Sequence, residues 1–378
     1  MVPRLKKFFR IVFISANVVA IVLYLLACLV PFVNSGKSWF IAMLGLLFPL
    51  LFIAIAGFLL YWIFRRSKWA FACVAALLIG WKQVSVMFSF HLPEKFNEVK
   101  SPGSIRVLTW NLSGWGQSNA SDKIKSNNKD QMLDLVKRSN ADILCFEEYI
   151  YFQDKKLQDS IIPALRESGY QYSYFVGTRF YERIYRSTRL ITTIIISKYP
   201  ITDTSHFFYT DEQLVEPLIQ ADIKIRDQTV RVFTTHLESV RFERTDFQAL
   251  YNLKKPVEAS LGSSKLIAYK LRNAYISRAS QAEVLNKKIK ESPHPVIVCG
   301  DFNDVPNSYT YFTVKGDLQD AFLEKGSGFG RTLRMLSPTL RIDYILADQR
   351  FKVTQYHKIE VPYSDHYPIL ADLEFAKD

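Results

Sequence analysis

Apolar residues are distributed in two contrasting ways along this chain. Near the N-terminus they form three runs, residues 11–33, 39–64 and 69–90, in which polar residues are rare. The first two contain no charged residue and exceed the roughly 20 residues needed to cross a hydrocarbon core of about 30 Å as helices. The third is interrupted. Its core from Ala70 to Gly80 is followed by Trp81, Lys82 and Gln83, which would have to lie near an interface with the lysine reaching back to water. The pattern leaves open whether this run spans or only lies on the surface. Buried helices of a large soluble core are the alternative, disfavoured by two uncharged runs of this length. The first run is too long for a cleaved signal peptide and shows no small-residue cleavage pattern before Pro31.

From Ile105 onward the period changes. Residues 105–110 alternate and end at Asn111, residues 141–146 read as a buried strand ending at Glu147 and Glu148, and residues 129–139 between them have helical spacing. Further strands are predicted at 172–176, 193–196, 218–225, 230–235, 296–299, 343–346, 352–358 and 369–375, with a helix over 274–290. Many strands interleaved with few helices predict an α+β domain of two packed sheets with helices outside. The polar stretch from His91, with Pro93 and Pro102, reads as a connector. The resulting plan is a transmembrane region over residues 1–90 with two to three helices, a linker over 91–103 and a second domain over 104–376.

Charge sharpens this division. The chain carries a net +12, but residues 1–90 hold nine of the 48 Lys and Arg and none of the 36 Asp and Glu, leaving 39 against 36, or +3, for the rest. The basic excess therefore flanks the apolar runs, where it sets membrane topology, and is not a nucleic-acid footprint. Arg4, Lys6, Lys7 and Arg10 precede the first run, Arg65, Arg66 and Lys68 follow the second, and the intervening loop has only Lys37. The positive-inside rule places the N-terminus in the cytoplasm. Three crossings then make the large domain extracytoplasmic, whereas a third run lying on the surface makes it cytoplasmic. Cys28 and Cys73 fall in apolar runs and Cys145 and Cys299 in strands, so free buried thiols are expected.

The stretch Val296-Ile297-Val298-Cys299-Gly300-Asp301-Phe302-Asn303 is a buried strand that runs into polar side chains. Asp301 and Asn303, two apart, share a face if the strand continues, offering a base and a neutral donor to one substrate atom. An Asx-turn capping the strand accounts for them equally well taken alone. Asn111, Glu148, His236, Asp343, Asp365 and His366 likewise follow or begin apolar runs. Each has a plain alternative: a hydrogen-bonded histidine, a turn-capping asparagine, or a cross-strand ion pair of Arg341 with Asp343.

In this order, the motifs Trp110-Asn111, Glu147-Glu148, Thr235-His236, Gly300-Asp301-Phe302-Asn303, Ile342-Asp343 and Ser364-Asp365-His366 resemble the endonuclease/exonuclease/phosphatase superfamily over about residues 104–376. The resemblance implies a four-layer αββα sandwich and hydrolysis of a phosphate ester by in-line attack of water. It implies Glu148 as principal metal ligand, assisted by Asn111 and Asp365. It makes Asp301 the group that activates water, with Asn303 and His236 on the phosphoryl oxygens and His366, oriented by Asp343, on the same phosphate. Converging carboxylates call for a hard cation, and oxygen ligands favour Mg²⁺ or Mn²⁺ over zinc.

The chain departs from the family pattern at Ser113, Glu147 and Thr192, where an acidic residue, a glutamine and a glycine are usual. His236 makes it look closer to the pancreatic-type deoxyribonuclease and neutral sphingomyelinase branches. Residues 178–190 mix arginines with aromatics, suited to nucleic acid, to lipid head groups or simply to a solvated strand pair, and residues 239–273 read as a lid, a bilayer contact or a plain surface insertion. A membrane lipid is the expected substrate because tethering raises effective concentration at a bilayer. DNA or RNA is the alternative, against which the near-neutral large domain counts. No protein partner is expected.

Overall fold

The computed structural model describes residues 3–116, 122–152, 161–182, 187–209, 216–241, 261–334 and 337–376. The chain divides into two compact units, one of Met1–Met87, Val240–Ala279 and Val305–Thr313, the other of Phe88–Ser239, Ser280–Asp304 and Val314–Asp378.

In the first unit the apolar runs are helices: α1 (Pro3–Cys28), α2 (Trp39–Phe64), α3 (Trp69–Ile79) and α4 (Trp81–Met87). α1 stops short of residue 33 because a single 3-10 turn, Val30–Phe32, replaces it at Pro31, whose ring removes the N–H that an α-helix would need. Lys7–Phe32 and Trp39–Phe64 are each long and apolar enough to cross a membrane. The third run breaks at Gly80, where α3 and α4 bend by 60°. Lys82 is exposed there, and its nitrogen lies over the rings of Phe32 and Phe312, 5.8 and 5.5 Å from their centroids.

Aromatic contacts fix the register of these helices. Phe13 meets Phe58, Tyr61 and Trp62, and Tyr24 stacks on Phe48 at 5.2 Å, so α1 and α2 run antiparallel. Cys73 Sγ donates to Asn17 Oδ1 at 3.4 Å, and Gln83 Nε2 to the Cys28 carbonyl at 2.9 Å, so the third run travels the same way as α1.

The second unit is built on two six-stranded sheets. The first, in the order β11-β12-β1-β2-β4-β3, contains Phe351–Lys358, Ile369–Phe375, Ile105–Asn111, Ile143–Phe152, Ser187–Ser197 and Tyr172–Glu182. The second, in the order β5-β6-β7-β8-β10-β9, contains Ile201–Phe207, Leu218–Ile225, Gln228–His236, Val296–Asp301, Asp343–Ala347 and Gln319–Asp320. Between them lies a core of Val107, Cys145, Ile195, Val232, Ile297, Cys299 and Ile345, all buried. Leu108, Trp110, Leu144 and Phe146 project from the opposite face of the first sheet into a second core with Met132, Leu135, Val136, Ile161 and Leu165. Those residues come from the helices Asp122–Ser139 and Ile161–Glu167. This is the mixed α+β sandwich that the strand count predicts, and all four cysteines are free and buried.

Some elements differ from the pattern reading. β5 was not predicted because its side chains are mostly half-buried or exposed, which leaves no apolar alternation to read. β9 is only two residues long. The helix over 274–290 is longer, Leu261–Lys290, its first turns hidden by Gly262, Ser263 and Ser264. The chain over 178–190 runs in β3 and β4, apart from residues 183–186, which lie outside the described residues, as do residues 242–260 of the segment 239–273. Arg341 pairs not with Asp343 but with the buried Asp320, Nη1 to Oδ2 at 2.6 Å, leaving Asp343 free to meet a histidine.

Candidate active site

Strand direction explains why residues so far apart in sequence meet. β1 and β2 are parallel, as are β7 and β8, so Asn111, His236 and Asp301 are delivered at C-terminal ends, and Glu148 just past the point where β2 ceases to pair with β1. β10 is antiparallel to β8 with Asp343 opposite Asp301, and β12 is antiparallel to β1, so their leading residues reach the same edge. Gly300 makes the approach of β8 to β7 possible. Its φ of +133° is closed to side chains, and a Cβ there would overlap the Thr235 carbonyl oxygen.

A β-bulge solves a second problem. Adjacent strand residues point to opposite faces, yet Glu147 and Glu148 are both directed inward. The register of β2 against β4 shifts between Phe146 and Tyr149, and Glu148 has φ +51°. Glu147 then lies fully buried between the sheets, its Oε1 accepting from Thr109 Oγ1 at 3.2 Å and Thr234 Oγ1 at 2.8 Å. Burial, opposed by the Thr234 bond, pushes its carboxyl well above the usual carboxylate range. Glu148 is turned to the site instead. Asn303 also has φ +51°; such left-handed positions for residues other than glycine store strain and cluster where function holds them.

Asp301 Oδ2 is the centre of the constellation. Asn111 Nδ2 donates to it at 3.1 Å and Asn303 Nδ2 at 3.4 Å, while the Asn303 N–H donates to Oδ1 at 2.8 Å. His236 Nε2 and His366 Nε2 lie 3.6 and 3.7 Å from it. Each histidine is aimed by a carboxylate on its other nitrogen, His366 Nδ1 by Asp343 at 3.0 Å and His236 Nδ1 by Glu216 at 2.9 Å. Burial and the neighbouring Asp343 carboxylate lift Asp301 to about 6 against the pull of the two histidines. Burial works against a charged His236, but Glu216, Asp301 and Glu148 prevail and push it up to about 10. His366 is likewise raised, burial being outweighed by Asp343 and Asp301.

Glu148 borders this group. It accepts from Asn111 Nδ2 at 3.2 Å and lies 3.8 Å from His236 Nε2. Burial and the fields of Glu216 and Asp365, opposed by His236 and Asn111, raise its carboxyl. Asp365 is exposed, with Oδ1 3.2 Å from Ser364 Oγ. Asn111 presents its NH₂ to the carboxylates because its oxygen accepts the Ser113 N–H at 3.0 Å, so ligation through that oxygen requires the amide to turn. Among the described residues, the donor atoms that gather most closely are those of Asp301, Asp343 and His366, all within 4.8 Å of one another. The sequence expectation places His366, oriented by Asp343, on the phosphate and the metal on Glu148, Asn111 and Asp365. The donor set suits a divalent cation: burial first, and neighbouring carboxylates after it, raise Asp301 and Glu148, and a hard cation favours their charged forms.

Glu216 escaped the sequence reading. It stands just ahead of β6, and its Oε2 accepts from Thr193 Oγ1 at 2.7 Å and from the Glu148 N–H at 3.4 Å. The available signal was a carboxylate at the edge of a buried strand, the feature that marked the others, masked here by Pro217 between it and the apolar run.

Comparison with known proteins gives the family. The family model described as Endonuclease/Exonuclease/phosphatase family matches residues 108–366, and one described as a domain of unknown function matches residues 7–87. No curated protein sequence matches. The solved endonuclease/exonuclease/phosphatase of Beutenbergia cavernae superposes with a TM-score of 0.52 at 18% identity, over 72% of this chain and 72% of that one. A family protein from Leptotrichia buccalis aligns at 0.48 and 16%, over 72% and 100% of the two chains. The catalytic domain of human Nocturnin, with bound sulfate, aligns at 0.49 and 17%, over 72% and 95%.

Proposed function

Since this chain belongs to the endonuclease/exonuclease/phosphatase family and is a hydrolase of phosphoric ester bonds, we propose that it acts from a membrane, with Mg²⁺ or Mn²⁺, on the head-group phosphate of a lipid. The observation that carries the chemistry is the convergence of two carboxylate-aimed histidines and two asparagine side chains on Asp301 Oδ2. Glu148, with Asn111 and Asp365, would hold the cation, which when bound would supply positive charge to a phosphoryl oxygen. Asp301 takes the proton of the attacking water. His236, held by Glu216, presents Nε2–H to the phosphoryl oxygens as their charge grows, and His366, held by Asp343, does so from the other side. Asn111 ties Glu148 to Asp301, and the Asn303 backbone fixes the Asp301 carboxylate.

Three crossings are supported by the packing of the third run. It leaves the end of α2 marked by Arg65, Arg66 and Lys68, passes Asn17 at Cys73 and reaches the end of α1 at Gln83. The chain beyond α4 then continues from the side opposite the basic N-terminus, which is extracytoplasmic by the positive-inside rule. The +3 balance of residues 91–378 favours a lipid over nucleic acid, whose binding is largely electrostatic.

The test offers plasmid DNA, RNA and a panel of phospholipids and sphingolipids side by side to the purified full chain in detergent with Mg²⁺, with Glu148→Ala as control. Lipid turnover lost in the variant supports the proposal. Variant-sensitive cleavage of nucleic acid with lipids untouched refutes the lipid reading and makes the helices a tether for a nuclease.

A further inference from the structure

Residues 332–334, ahead of β10, are clamped between the two stretches of chain that carry His366 and Asp343. On one side Leu333 bridges His366, the Tyr367 N–H donates to the Thr332 carbonyl at 2.8 Å, and the Arg334 N–H donates to the Asp365 carbonyl at 2.8 Å. On the other, the Thr332 N–H donates to the Leu340 carbonyl at 2.9 Å, and Thr332 Oγ1 accepts from the N–H groups of Ile342 and Asp343 at 3.0 and 3.2 Å. Arg334 is thereby held at the rim of the site, opposite Asp365.

Its guanidinium is only partly engaged. Nη1 donates to the Ser364 carbonyl at 2.8 Å, a neutral partner. No carboxylate among the described residues pairs with Arg334, although the exposed Asp365 stands opposite it. The edge formed by Nε–H and Nη2–H, a fork that matches two oxygens of one anion, is left open. Elsewhere in the same unit a carboxylate fills that edge. Arg106 places Nε and Nη2 on Asp372 at 2.6 and 2.8 Å, Arg231 places them on Asp222 at 2.7 and 2.7 Å, and Arg350 on Asp348 at 2.9 and 2.6 Å. Arg334 is half-buried and anchored through one nitrogen, so its free fork is already oriented to receive an anion.

We propose that Arg334 determines specificity: through Nε–H and Nη2–H it grips a second anionic group of the substrate, beside the phosphate that is hydrolysed. This narrows the proposed lipid to one whose head group carries a carboxylate or a further phosphate, and it rests on the phosphoesterase reading of the site. His236 and His366 already serve the reacting phosphoryl oxygens. Ser364, where the guanidinium is anchored, is two residues from His366, at most about 7 Å of extended chain. An anion a few bonds from the reacting phosphorus fits that spacing.

The test is calorimetry on the full chain in detergent with Mg²⁺, using three probes on one carbon frame. Glycerol 3-phosphate has no second anion, 3-phosphoglycerate adds a carboxylate, and glycerol 1,3-bisphosphate adds a phosphate. The parent is expected to bind one of the latter two on the order of tenfold more tightly than the first, and which one identifies the anion. Arg334→Gln should bring all three within about twofold at the parent's affinity for glycerol 3-phosphate, and Arg334→Lys, a charge without the fork, should restore only part of the preference. Arg350→Gln, which removes a fork already filled by Asp348, should leave every affinity as it is. The proposal is overturned if the parent shows no preference, if Arg334→Gln keeps it, or if that variant weakens all three alike, which would put Arg334 on the reacting phosphate. An Arg334-dependent preference in a chain that cleaves no phosphate ester would overturn the phosphoesterase reading alone, whereas cleavage without that preference would overturn this inference alone.

Discussion

Glu216→Gln isolates one charge at nearly constant shape. Glu216 touches no substrate; it reaches the site through His236 at 2.9 Å, with its other oxygen held by Thr193 at 2.7 Å. Glutamine can keep one of these contacts but not the charge that favours an imidazolium. Bonds to charged groups contribute about 1.5–3 kcal/mol, and at about 1.4 kcal/mol per tenfold the expected loss in kcat/KM is on the order of 10- to 100-fold. The assay is a double-mutant cycle with His236→Ala on one phosphate ester. If Glu216 acts only by aiming His236, Glu216→Gln costs nothing further once His236 is gone. Losses that multiply, or a single variant within about threefold of the parent, would refute the reasoning.

Three other outcomes follow from the geometry. Because Asp301 is held up at about 6, protons compete with the cation there, so divalent-ion affinity measured by calorimetry should fall as pH drops through that value, and chelation at neutral pH should lower Tm. Gly300→Ala should destabilise the chain by about 3 kcal/mol or more in denaturant unfolding, combining a forbidden φ with overlap on Thr235. Glu147→Gln should fold and turn over substrate normally. Since the folded state keeps a proton on Glu147 that the unfolded chain releases above about pH 4.3, its contribution to parental stability falls as pH rises above that value. The variant should lack that decline in a pH series of Tm.

The sequence made the strand ends legible because each site residue adjoins an apolar burst whose burial is close to complete, as in β1 and β8. Chain order then supplied the family. Which side chain faces which was less accessible, since it depends on departures from regular geometry. The bulge at Glu147 and Glu148, the left-handed Asn303 and the amide of Asn111 turned by Ser113 leave no periodic trace. Nor did pattern alone reveal that residues 305–313 belong with the apolar helices, because a short loop after a motif looks the same whatever it packs against.

The bulge in β2 gives two consecutive letters separate readers: Glu147 answers to the sandwich interior and Glu148 to the reaction. Loss of either cannot be covered by its neighbour, since one is sealed between sheets and the other held at their rim. Removing Glu148 would restore ordinary alternation and leave Tyr149 on its present face with Phe146, but would take away the side chain turned to the site, whereas adding a residue would exchange inside for outside from there onward. In any lineage descended from this chain, the spacing across these positions should therefore tolerate no insertion or deletion, even where the flanking letters drift.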